Sequence, residues 1–274
     1  MEINNETLGM SAEKVICDIY NLDCSNIKHR SYKPFESKLV EELKKAVLKI
    51  PKIISYEGKN KGLRGGQSKS TIDFKMVGNK TLSVKTTNGT GMLCPSECGQ
   101  PGTDTFDKYF GHLYNGKIDP DKARKLVIKK IDQMLPIYFE HLFDNDFLLF
   151  IHLPFKGGRD GKELIFPKED EPPGTHIFDK TDLNKIKWDM KDISFTSNRV
   201  LSENDVTSLL KKKEDAEKKN LIKAVEEIKE KLKPIWVESQ TIKHKGVSVA
   251  EFQIHRHRKS YKFRFNMFNL RKLL

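Results

Sequence analysis

The chain has no run of about eighteen apolar residues, so no helix is expected to cross a membrane. Its opening residues, MEINNETLGM, lack the basic and apolar stretches of a secretory signal, which leads to the expectation of a cytoplasmic protein. Cysteine is scarce. Cys94 and Cys98 are spaced C-x3-C, but Cys17 and Cys24 lie seven apart with no matching histidine pair, so all four read as free thiols and not as a closed zinc site. There is no Gly-rich phosphate motif of the P-loop or dinucleotide type, and no internal repeat. Acidic residues are short in number as well: 38 Asp and Glu face 50 Lys and Arg, a net charge of +12.

The 274 residues suit one large domain or two small ones. The apolar share is low at 37%, yet 16 Phe, 7 Tyr and 2 Trp are enough large side chains for a core. The positive excess points to a polyanionic partner. It is concentrated in residues 235–274, where nine lysines and arginines meet only Glu238 and Glu251.

Apolar spacing predicts helices over 9–22, with Ser11 as cap, and over 35–50, ended by Pro51. Residues 56–70 are Gly- and Lys-rich loop. Residues 71–77 and 81–87 alternate: Ile72, Phe74, Met76, Leu82 and Val84 share one face, and Asp73, Lys75, Ser83 and Lys85 the other. This is a β-hairpin, and keeping both apolar sets on one face requires cross-strand partners whose numbers sum to an even value. A loop at Gly78–Lys80 satisfies that and puts Asp73 beside Lys85. A short aromatic helix at TFDKYFGHLY, a helix over 121–143 and a doubly buried strand at 147–153 follow. The fold class is α/β. A Gly- and Pro-rich stretch, 156–175, suggests a division into 1–155 and 156–274. The second part has strands at 187–195, 247–254 and 260–268 around one charged helix over 203–233.

The polar face of the hairpin carries Asp73 and Ser83-x-Lys85. A carboxylate offers Mg²⁺ a hard oxygen, and a neighbouring lysine can position water or stabilise charge on a transferring phosphoryl group. An ordinary cross-strand ion pair is the bland alternative for Asp73 and Lys85. Glu13 and Glu36 would then be solvent-facing, and His112, His141 and His152 structural. In 260–268, Tyr261, Phe263, Phe265 and Met267 alternate with Lys262, Arg264, Asn266 and Phe268. One face packs, and the other presents groups able to read base edges.

An acidic residue on one strand with x-x-Lys on its hairpin partner resembles the PD-(D/E)xK nuclease core on which type II restriction endonucleases are built. The helix bearing Glu13, the segment GGQSKSTID and the basic end KFRFNMFNLRKLL are similar to features of the small MspI group, in which a polar residue, here Ser83, replaces the usual glutamate. The resemblance implies a restriction-endonuclease-like core of a mixed β-sheet flanked by helices in 1–155, and a C-terminal α+β DNA-recognition region in 156–274. It implies Mg²⁺-dependent cleavage of double-stranded DNA at a short specific site. Asp73, Lys85, Ser83 and Glu13 would be catalytic, and Asp73, the Val84 carbonyl and Glu13 would be metal ligands, with Glu36 an alternative to Glu13. Arg64, Gln67, Lys69, Arg256, Arg258, Lys262, Arg264 and Asn266 would contact DNA. The protein would act as a monomer or homodimer alongside a protective DNA methyltransferase of its host. The rival expectations are a structure-specific repair or recombination nuclease, and a nucleic-acid-binding protein that does not cut.

Overall fold

The computed structural model describes residues 5–25, 27, 33–58, 72–87, 91–152, 155–156, 163–164, 174–197, 203–256 and 259–274. In chain order, α1 (Asn5–Tyr20) and α2 (Lys33–Val47) precede β1 (Ile53–Tyr56), β2 (Phe74–Met76) and β3 (Lys80–Thr87). Then come β4 (Met92–Leu93), α3 (Thr103–Phe110), α4 (Pro120–Leu142) and β5 (Phe147–His152). The short β6 (Phe155–Lys156) and β7 (Glu163–Leu164) pair with each other and are followed by β8 (Thr175–Asp179), α5 (Lys180–Leu183) and β9 (Ile193–Ser197). The remainder is α6 (Glu203–Lys218), α7 (Ile222–Trp236), β10 (Val237–His244), β11 (Val247–His255), β12 (Ser260–Asn266) and α8 (Met267–Arg271). No helix among the described residues is long and apolar enough to cross a membrane.

The fold is mixed α/β, and its compact units do not follow a single cut at 155/156. One unit holds Met1–Leu93, Phe143–Lys187 and Asn266–Leu274; the other holds Cys94–Leu142 and Trp188–Phe265. Aromatic packing explains the interleaving. Rings of α3 and α4 pack on rings of β12, which gathers Cys94–Leu142 with the late strands.

In the first unit a five-stranded sheet runs β1-β2-β3-β5-β8. β1, β2 and β3 are successive antiparallel neighbours, β5 lies parallel to β3, and β8 is antiparallel to β5. β5 lies between β3 and β8, and its Leu148, Leu149, Phe150 and Ile151 are all buried, as a strand covered on both faces must be. Helix α1 buries Leu8, Ala12, Val15 and Ile16, and α2 buries Leu39, Leu43, Ala46 and Val47, in one cluster with Phe74, Met76, Leu82 and Val84. Ser11 is not a cap. It sits inside α1, where its hydroxyl donates to the Thr7 carbonyl at 2.8 Å, a bond that satisfies a buried serine within its own helix. At the other end Asn21 takes a left-handed conformation and Leu22 N–H donates to Cys17 O at 2.9 Å, closing the helix. Gly91 is required at its place: its φ is +72°, and a Cβ there would meet the Phe268 ring at 2.3 Å.

The hairpin keeps the expected parity but slips by one pair. Its loop is Val77–Asn79, with Gly78 and Asn79 at positive φ, and Met76 pairs with Lys80, Lys75 with Thr81 and Phe74 with Leu82. The two positive-φ residues complete the reversal before Lys80, so Lys80 opens β3 instead of closing the turn. Asp73 therefore meets the Ser83 region, and Lys85 lies further along.

In the second unit β9, β10, β11 and β12 form an antiparallel run. The expected alternation holds as far as Asn266, with Tyr261, Phe263 and Phe265 buried and Lys262, Arg264 and Asn266 half-buried, but the expected strand over 260–268 stops there because Asn266 caps α8, which takes Met267 and Phe268. Tyr138 of α4 stacks on Phe263 at 3.9 Å between centroids, and Phe106 of α3 meets Tyr261 at 4.6 Å. The expected strand at 187–195 is displaced to 193–197, because Asp189 caps a single 3₁₀ turn at 190–192 by accepting from Lys191 N–H. The expected single helix over 203–233 is two. Asn220 at φ +52° and a Leu221 N–H to Ala216 O bond of 3.0 Å end α6 before α7 begins.

Phe263→Ala removes a fully buried ring from this stack. It is expected to cost about 3–5 kcal/mol, read as a lower midpoint in chemical denaturation.

Candidate active site

Three strands converge on Asp73, the residue just before β2. Its N–H donates to Leu82 O at 3.1 Å, and its carbonyl accepts from Glu57 N–H at 2.9 Å. Its carboxylate Oδ2 accepts from Val84 N–H at 2.6 Å and from the Ser83 hydroxyl at 3.1 Å. Pairing of β2 with β3 stops at Leu82, so the Val84 amide that faces β2 meets no strand among the described residues and takes the carboxylate instead. In an extended strand a residue's N–H and C=O point to the same side, so the Val84 carbonyl lies toward Asp73 as well.

The placement of β3 is itself pinned. The Asp146 carboxylate, just ahead of β5, accepts from Thr81 N–H (2.9 Å), the Thr81 hydroxyl (3.1 Å) and Lys80 Nζ (2.8 Å). This holds its carboxyl below the usual range, with Lys80 and Thr81 outweighing the opposing effect of burial. Leu82 and Val84 turn into the core under α1, and Ser83 and Lys85 by alternation turn to the opposite face.

Burial pushes the Asp73 carboxyl up. The positive charge of Lys85, the Val84 N–H and the Ser83 hydroxyl oppose that rise, and the negative charge of Asp144 adds to it. Lys85 thus acts on Asp73 through its charge, as the expected pairing foresaw in outline, but across the slipped register.

Glu13 is held elsewhere. The Tyr56 phenol, at the end of β1, donates to Glu13 Oε2 at 2.6 Å and packs its ring on Phe74 at 5.2 Å. Burial raises the Tyr56 pKa first, then the Glu13 charge, with a smaller push from Asp73. Tyr56 therefore stands within the field of both carboxylates and is the link between them. Its sequence signal was the short IISY strand ahead of the Gly-rich loop, too brief to read by periodicity.

The structure brings together Asp73, Ser83, Val84 and Lys85, and joins Glu13 to them only through Tyr56. Arg64, Gln67, Lys69 and Arg258 lie outside the described residues, as does the side chain of Glu36. Among the described residues no group of three or more His, Cys, Asp or Glu side chains is placed to hold an ion. A Mg²⁺ site would thus rest on Asp73 Oδ1 and the Val84 carbonyl. Mg²⁺ commonly keeps several waters, and a carboxylate whose ionisation is suppressed by burial gains from a cation beside it, so these two donors fit the ion.

Several of the expected DNA-facing residues are already engaged by the protein's own groups. Arg256 pairs with the buried Glu238 and with Asp121 at 3.0 Å, and Arg124 also approaches Glu238 at 3.8 Å. The pairing with Glu238, then Asp121, raises the Arg256 pKa. Part of the positive charge of Arg256 is therefore answered by the protein's own carboxylates. Arg264 pairs with Glu251 across the β11–β12 register. Asn266 caps α8 by accepting from Asn269 N–H at 3.1 Å. Lys262 stands opposite Gln253.

Compared with known protein families, characterised proteins and solved structures, the chain matches none of them.

A carboxyl with a raised folded pKa stabilises the fold most below its unfolded pKa, about 3.9. That contribution is lost as pH rises through the folded value. Ionised Asp73 therefore opposes folding at pH 7. Asp73→Asn is expected to melt no lower than the parent at pH 7, with a flatter dependence of melting temperature on pH above 4. A melting temperature several degrees lower at pH 7 would contradict this.

Proposed function

We propose that the protein is a Mg²⁺-dependent type II restriction endonuclease that hydrolyses phosphodiester bonds of double-stranded DNA on a restriction-endonuclease-like core. The observation that carries the reading is Asp73 anchored by its carboxylate to Ser83-Val84 on the adjacent strand, with the Val84 carbonyl on the same side and the charge of Lys85 reaching it. Helices α1 and α2 before the hairpin, a mixed sheet and the buried β5 after it agree with the order that the resemblance implies.

In this reading Asp73 Oδ1 and the Val84 carbonyl would hold the ion, which would supply Lewis-acid activation of water and of the phosphoryl oxygen. Lys85 positions the attacking water and offsets negative charge that develops on the phosphoryl oxygens. Ser83 fixes the Asp73 carboxylate so that Oδ1 stays turned away from the strand. Tyr56 orients Glu13. Lys262, with Arg264, Arg256 and Asn266, would face the duplex. The last three first have to share or exchange their internal partners, which favours selective over indiscriminate contact.

One observation favours the rival reading of a binding protein that does not cut. Asp73 already has a structural task as the acceptor for Val84 N–H. The two readings separate in one assay. The nuclease cuts plasmid DNA into discrete fragments with Mg²⁺ and none with EDTA, and Lys85→Ala lowers the rate by roughly 10²-fold. Salt-sensitive DNA binding without cleavage, indifferent to Mg²⁺, overturns the nuclease reading. Cleavage by Lys85→Ala as fast as by the parent overturns the assignment of the site.

A further inference from the structure

A cavity of about 290 Å³ opens in the first unit, lined by Glu42, Lys45 and Lys49 from α2 and the turn after it, by Thr175 and His176 of β8, and by Arg271 of α8. Ala46 and Ile177 give it an apolar floor. It shares no residue with Asp73, Ser83, Val84 or Lys85. Its size is at the lower end of small-molecule sites, which run to about 300–1,000 Å³, and it is too small and concave for a duplex.

The charge of this lining is unbalanced. Lys45, Lys49 and Arg271 face a single carboxylate, Glu42, which already lies 3.7 Å from Lys45. The lining therefore carries a net charge of +2 with no matching acid in the cavity. Burial, then the charges of Arg271 and Lys49, hold the His176 imidazole down at about 4. At pH 7 it is neutral and offers a ring N–H without adding charge. The Thr175 hydroxyl is a further polar group beside it. Both cations that act on His176 line the same cavity.

We infer that this cavity binds a phosphomonoester dianion of nucleotide size. A phosphomonoester carries about −1.5 to −2 at pH 7 and accepts through three oxygens, which matches a lining of +2 with guanidinium, ammonium, imidazole and hydroxyl donors. A diester, with one negative charge, leaves the cavity half-balanced. The apolar floor suits the organic part of the ligand. The phosphate belongs either to a free nucleotide or to the 5′ end of a strand. The inference stands apart from the nuclease reading, since it needs neither Mg²⁺ nor Asp73.

Calorimetric titration of the full chain at pH 7 without Mg²⁺ tests it. The probes are a nucleoside 5′-monophosphate, the parent nucleoside, and one single-stranded oligonucleotide with and without a 5′-phosphate. The monophosphate is expected to bind at least about tenfold tighter than the nucleoside, which is about 1.4 kcal/mol. Lys49→Gln with Arg271→Gln is expected to lose at least that factor, and Lys45→Gln to weaken binding by less. All three side chains are exposed, so the variants should melt with the parent. The His176 ring resonances should move on adding monophosphate. A 5′-phosphate that strengthens oligonucleotide binding by a similar factor identifies the strand end as a source; strengthening seen only with the mononucleotide identifies the free nucleotide. No binding at millimolar monophosphate overturns the inference. Equal binding of the nucleoside, or affinity unchanged in the double variant, overturns it also.

Discussion

The bond from Val84 N–H to the Asp73 carboxylate sets the geometry of the first unit's polar face. β3 has to serve β5 along its whole length but β2 only as far as Leu82. Beyond that point one of its amides needs an acceptor that no strand among the described residues supplies. A carboxylate is the strongest acceptor available, and its use there draws a negative charge into a half-buried place. Every other feature of the site answers that charge. The Ser83 hydroxyl shares the same oxygen, Lys85 supplies the compensating field, and Asp146 pins the strand that presents them. A group that is structurally needed and electrostatically uncomfortable is also one that a divalent cation would relieve.

The internal charge network changes what the positive excess means. Asp121 and Glu238 hold Arg256, and Glu251 holds Arg264. The only two acids in the last forty residues are thus both committed to arginines of that segment. What remains available there is smaller than the count of cations suggests, and it is oriented. Such pairing fixes guanidinium planes at a known angle, which matters more for recognition than bulk attraction does.

Much of this was legible in the sequence wherever periodicity was clean. The alternation of 71–77 and 81–87, the apolar run of β5 and the alternation of β12 each carry their own signal, and the parity of the hairpin followed from them. The register did not, because a slip of one pair keeps every side chain on its face, and only Gly78 and Asn79 at positive φ decide it. β1 and β8 are four and five residues long and are hidden among polar neighbours. β10 reads as polar, yet it buries Glu238, Ser239, Gln240 and His244; its partners come from distant segments, and no local pattern announces them. The break at Asn220 is a single residue in a long charged stretch. For the candidate site, the residue types were readable from the strand pattern. The role of Tyr56 was not, since it depends on a contact 43 residues away.

The interleaving of the two units bears on how the chain is made. The chain passes from one unit to the other four times, and α8, with Met267 and Leu270 buried and Phe268 packed on Phe150 and His152, belongs to the unit that begins with α1. That first unit waits for the whole of the second to leave the ribosome before its last pieces can dock. Neither unit is complete before β12 and α8 have been made, since β12 belongs to the second unit's run of strands and α8 to the first unit.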